Sequence, residues 1–180
     1  MKPLLTWLLL LPIVAAGQLR TYYSGDLSVH FAKSLEHTGY GIHASGNMQA
    51  VDKVFVGLTA GAVQVKPFVS NPAFVLNGRL TFFTSRQEEK LVPFGLFEVG
   101  KLFYNEQNFG GQPSQQLEGG LNFFTGVGVR FSAKKLHPFF SIGYAGFHYN
   151  NNTYRNNAVE FTRPYRFRRM EIKLGLMLPK

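Results

Sequence analysis

Cysteine is absent from all 180 residues, which excludes disulfides, thiolate metal centres and cysteine nucleophiles. Aspartate occurs only as Asp26 and Asp52. Both read as turn-proximal, so a carboxylate cage for calcium or magnesium is not expected. Long apolar runs are missing after residue 16. The best later window, residues 54–63, is too short for a membrane helix and too rich in glycine and β-branched residues. Helical periodicity is nearly absent throughout. Acidic residues are also few: 10 against 19 Lys and Arg, a formal charge of +9. The basic residues are dispersed except for one run, Arg163 to Arg169. For an exported chain this argues against nucleic acid as a partner and favours anionic lipid headgroups or solvent beside the basic face.

What is present begins with an export signal. Lys2 precedes an apolar stretch from Leu4 to Val14, and Val14-Ala15-Ala16-Gly17 offers small residues for cleavage. Residues 1–17 therefore read as a cleavable signal peptide and 18–180 as one domain.

Within that domain, period-two alternation predicts eight strands: 26–33, 39–50, 53–65, 73–84, 90–104, 117–133, 138–150 and 165–178. The last is the clearest. Met170, Ile172, Leu174, Leu176 and Leu178 fall on one face of an extended chain, and Arg169, Glu171 and Lys173 on the other. The fifth is the least regular, because Glu98 falls in step with Phe94 and Leu96; a bulge or a short membrane-facing section would account for this. Turns near 51–52, 86–89 and 134–137 read as short. Polar stretches 105–116 and 150–164 read as long loops. Phe82, Phe94, Phe131 and Phe140 fall near the short-turn ends. Tyr40, Tyr104, Tyr149, Tyr165 and Phe167 fall near the long-loop ends, which suggests two interfacial belts.

These features predict an all-β fold: a closed antiparallel up-and-down eight-stranded transmembrane β-barrel. Apolar strand faces then meet lipid, and the closing strand contributes Met170, Ile172, Leu174, Leu176 and Leu178. The other faces fill a narrow interior with a polar network of His30, His43, Asn77, Arg79, Asn122, Arg130, Arg169, Glu171 and Lys173, together with Asn47. An interior of this width holds side chains and leaves no open channel. Buried cations need partners, so Glu171 and Glu98 are expected to pair with Arg79, Arg130 or Arg169. His30 and His43 are expected to face each other across the first two strands.

The signal peptide, the alternating strands, the openings Leu91-Val92-Pro93-Phe94 and Leu136-His137-Pro138-Phe139, and the final Lys173-Leu174-Gly175-Leu176 resemble the small outer-membrane β-barrel proteins of Gram-negative bacteria, of the OmpA/OmpX barrel type. The resemblance implies residence in the cell outer membrane, insertion by the barrel-assembly machinery, outer-membrane lipids as neighbours, and a structural or surface-interaction role through loops 105–116 and 150–164.

No catalytic residue, cofactor or metal site is assigned. A lipid-modifying barrel enzyme would need a His and a Ser near the membrane surface, but His148 and Ser141 do not have a productive spacing. A soluble exported lipocalin-like barrel binding a small apolar ligand is the alternative from another class. It requires the leucines inside and the charges outside, and residues 54–65 offer no charge to water on either face.

Overall fold

The computed structural model describes residues 20–31, 38–64, 71–85, 89–108, 114–133, 135–155 and 158–179. The expected signal peptide, residues 1–17, lies outside the described residues. The described residues form nine strands: β1 (Thr21–Phe31), β2 (Gly39–Val51), β3 (Val54–Gln64), β4 (Ala73–Phe83), β5 (Leu91–Phe103), β6 (Asn105–Asn108), β7 (Ser114–Phe131), β8 (His137–Arg155) and β9 (Ala158–Pro179). No helix occurs among the described residues. β5 and β6 both pair with β7 and form one arm, interrupted at Tyr104. The sheet therefore has eight positions around its circumference.

Every neighbouring pair is antiparallel. β1 pairs with β9 from Tyr22↔Pro179 to Phe31↔Met170. β5 pairs with β7 from Leu91↔Phe131 to Lys101↔Leu121. These two ladders close the sheet into a barrel, so no edge remains along its wall. Side chains alternate strictly in β1, where Tyr22, Ser24, Asp26, Ser28 and His30 are buried and Tyr23, Leu27, Val29 and Phe31 are exposed. Curling eight strands this tightly demands small residues inside. Gly126 and Gly143 face each other across β7 and β8. A Cβ on Gly143 would stand 2.6 Å from the Gly126 Cα and 2.7 Å from the Phe124 Cζ, so a larger residue there would displace the Phe124 ring or the wall.

Several expectations are corrected. β1 begins at Thr21, five residues earlier than the alternation suggested, which places Asp26 in mid-strand rather than at a turn. β5 has no bulge: its register with β4 and β7 is continuous, and Val92, Phe94, Leu96 and Glu98 all point inward. The irregular pattern arises because the interior itself is partly apolar. In stretches 105–116 and 150–164, read as loops, the described residues are strand. Asn150–Thr153 pair in register with Phe161–Pro164, and Asn152 and Thr153 are buried there.

The connections do not sort by length either. The barrel's two ends differ because β7, β8 and β9 continue past the wall with β6 as a projecting arm. The opposite end holds the turn at Asp52 and Lys53 and the connections 84–90 and 132–136, and is called the turn end below. The belts are also partial. Phe82, Phe131 and Phe140 lie outside at the turn end, but Phe94 and Tyr149 are buried within.

Candidate functional site in the barrel interior

Three layers fill the interior. At the turn end, the inward positions of four strands and the start of β1 bring five rings together. Tyr22 lies 5.1 Å from Phe55 between centroids, Phe55 lies 5.5 Å from Phe83, Phe83 lies 5.8 Å from Phe94, and Phe94 lies 5.9 Å from Phe139. These are tilted and edge-to-face arrangements, the favourable geometry for aromatic pairs. Arg130 places its guanidinium 5.0 Å from the Phe83 centroid and donates to the Ser132 hydroxyl. The Tyr22 hydroxyl donates to Thr81 at 3.0 Å, joining this cork to the polar layer above.

The middle layer is ionic. Lys173 of β9 reaches across the interior to Glu98 of β5, with Nζ 2.6 Å from Oε2, and lies 3.7 Å from Glu171 Oε1. Arg79 of β4 contacts Glu98 Oε1 at 3.3 Å and Asp26 Oδ2 at 3.9 Å. His43 of β2 is 3.0 Å from Asp26 Oδ1, and His30 Nδ1 approaches Glu171 Oε2 at 3.4 Å. Thr59 of β3 donates to Glu98 at 3.1 Å, and Arg79 donates to Ser45 at 3.0 Å. The Lys173 ammonium also sits 4.3 Å over the Phe124 ring of β7. Three carboxylates thus face two permanent cations and two imidazoles, all buried. Mutual pairing is what makes such a cluster tolerable away from water.

The third layer, toward the arm, is aromatic again. His30 meets Phe147 edge-on at 5.1 Å, Tyr149 lies 5.9 Å from Tyr104 and 5.7 Å from Phe167, and Arg169 covers Phe167 at 6.0 Å. Between the ionic and upper layers lies a cavity of about 20 Å³, lined by His30, Asn77, Glu98, Asn122, Glu171 and Lys173 among others. That is room for about one water. Asn77 Oδ1 and both amide atoms of Asn122 have no protein partner.

The sequence-derived interior set is placed as follows. His30, His43, Asn47, Asn77, Arg79, Asn122, Arg130, Arg169, Glu171 and Lys173 are all buried. Arg79, Glu171, Lys173 and the two histidines meet in the ionic layer. Arg130 and Arg169 stand apart, one in the cork and one beneath the arm. The two histidines do not face each other: His43 pairs with Asp26 and His30 with Gly39, so each serves a different carboxylate. Asp26 was missed, although Tyr22, Ser24, Asp26, Ser28 and His30 continue one alternating face back from the recognised strand. Ser141 is buried and His148 lies on the opposite face of β8, so the two belong to no common site. Among the described residues no cluster of His, Cys, Asp and Glu is arranged to hold a metal. Met170, Leu174, Leu176 and Leu178 are exposed on the outer wall and Ile172 is partly so.

No family model matches the chain, and no curated protein matches its sequence. Solved structures do. Neisserial surface protein A is 14% identical with a TM-score of 0.53, covering 88% of this chain and 96% of that one. The N-terminal β-barrel domain of Pseudomonas aeruginosa OprF is 13% identical with a TM-score of 0.52, covering 91% and 100%. The E. coli outer membrane protein W is 10% identical with a TM-score of 0.56, covering 89% and 97%. The chain therefore has the closed, antiparallel, eight-stranded fold of the small outer-membrane β-barrels.

Proposed function

We propose that this chain is an outer-membrane β-barrel with a plugged interior, serving a structural or surface-interaction role and conducting no solute stream. The observation that carries the reading is the inversion of polarity: Asp26, Arg79, Glu98, Glu171 and Lys173 are inside, while Leu58 and Val127 are each 65% exposed on the outer wall. An apolar exterior of this extent is costly in water and favourable in hydrocarbon. On β9 the apolar stripe from Met170 to Leu178 has nine residues, about the number a tilted strand needs to span the membrane. His137–Tyr144 of β8 lie beside it. Placing the turn end in the periplasm sends the arm of β6–β9 outward, where it replaces the expected loops as the surface available to partners. Insertion by the barrel-assembly machinery follows from this reading. The same polarity opposes the lipocalin-like alternative, which needs the leucines inside. Among the described residues no side-chain constellation supports an enzyme.

The test is cell fractionation with a gel run before and after boiling. The expected result is envelope sedimentation and a heat-dependent change in mobility. Recovery as a soluble periplasmic protein would overturn the proposal.

A further inference from the structure

The basic run at 163–169 is divided by the strand that carries it. Arg169 turns inward and is buried, whereas Arg166 and Arg168 are exposed on the outer face of β9, two residues apart. Side chains so spaced lie about 7 Å apart along a strand. Across the ladder, the partner of Arg166 is His148, half-buried on the same outer face, and the partner of Arg168 is Gly146. Gly146 has no side chain because the Phe123 ring of β7 lies over it; a Cβ there would collide with that ring. Phe123 in turn meets Tyr144 at 6.3 Å. Tyr144 is paired with Met170, where the apolar stripe of β9 begins. Three nitrogen-bearing side chains therefore stand directly above an aromatic floor that continues into the outer apolar band. Among the described residues no carboxylate pairs with Arg166 or Arg168. Burial, and after it the fields of Arg166 and Arg168, hold the His148 imidazole below its ordinary pKa.

We infer that Arg166, Arg168 and His148 form a headgroup site for a phosphorylated, acylated lipid of the outer leaflet. Guanidinium groups match phosphate oxygens with paired hydrogen bonds. The lipid's chains lie down over Phe123, Tyr144 and Met170. Continuity between the cations and the apolar band selects a lipid over free phosphate, which would use the cations alone. The inference rests on the membrane reading above and deepens it by naming a partner.

The test uses the full chain folded in neutral detergent micelles, offered equal amounts of phosphatidic acid and phosphatidylcholine, with retained lipid read by native mass spectrometry. The expected result is selective retention of phosphatidic acid. Arg166→Gln with Arg168→Gln should lower that selectivity by about 25-fold, at about fivefold per cation, while Lys90→Gln at the turn end leaves it unchanged. Equal retention of the two lipids by the wild-type chain, or wild-type selectivity in the double variant, would overturn the inference. Inorganic phosphate that displaces the lipid at equimolar concentration would also overturn it. The heat-dependent gel shift is measured on the same samples. Its presence beside absent selectivity overturns the lipid site alone, and its absence overturns the membrane reading beneath it.

Discussion

Lys173 illustrates what a single side chain must do in a narrow barrel. Its ammonium touches Glu98 and Glu171 and covers the Phe124 ring, with almost no exposure to water. Lys173→Met leaves two buried carboxylates short of their cation. A loss of about 3–5 kcal/mol is expected, measured by urea unfolding of the barrel in lipid vesicles. Combining it with Glu98→Gln should cost less than the sum of the separate effects, by about 1–3 kcal/mol, because both changes break one interaction. Strict additivity would show that the 2.6 Å contact does not couple the two residues. Neighbours in sequence need not share an environment: Arg168 and Arg169 are adjacent, yet one faces outward and the other is buried over the Phe167 ring. His148 reports on the outward pair. Cations beside it disfavour the imidazolium, so Arg166→Gln with Arg168→Gln should raise the His148 pKa toward its ordinary value. Ring-proton shifts followed by NMR against pH would show this. A fall would contradict the assigned geometry.

Each strand displays what its residues dictate and what its neighbours add. The closing strand was legible because Met170 to Leu178 alternate without interruption against Glu171 and Lys173, and one face is uniformly apolar. β5 was harder to read because Phe94 and Leu96 share the inner face with Glu98. Alternation reports a face, and only the packed interior decides which apolar face is which. The ends of β7, β8 and β9 were hidden for another reason. Asn150–Thr153 have weak strand preference alone, and ladder pairing across to β9 overrides it. The ionic layer was half legible. The inward parity of Arg79, Glu171 and Lys173 could be read, but the meeting of Lys173 with Glu98 depends on the register among strands distant in sequence.

Two substitutions test the elements. Lys53 adopts φ 64° in the turn between β2 and β3, a left-handed conformation that costs a residue carrying a Cβ about 1 kcal/mol. Lys53→Gly should stabilise the barrel by about 0.5 kcal/mol after the flexibility of glycine in the unfolded chain is counted. The urea midpoint reads the sign. Gly143→Val inserts atoms into the contact with Gly126 and the Phe124 ring and should cost about 1–3 kcal/mol.

For the molecule as a whole, the proposed plug rests on the stacked layers. A five-ring cork, a cross-braced ionic layer and an upper aromatic layer stand in series along the axis, with a cavity of about 20 Å³ between the latter two. Purified barrels in planar bilayers should show no unit conductance comparable to that of a porin. Steady open-channel currents would show that the layers move aside. Closure of the barrel was readable from strand number and lipid-compatible faces, whereas its contents were readable only in part: the polar inward residues were, and the aromatic cork was not, because aromatic and charged fillers satisfy the same alternation.

The contact between Lys173 and Glu98 has a consequence for the order of events in assembly. The two residues are 75 apart in the chain, and Thr59 and Arg79 reach the same carboxylate from separate strands. Arg79 meets Glu98 within the β4–β5 ladder, but the Lys173 bond cannot form until β9 has taken its place in the ring. The Lys173 contact therefore works as a latch set by the final strand: it adds little to the rate at which the barrel closes and much to the time it stays closed. Removing Lys173 should accordingly speed unfolding far more than it slows folding.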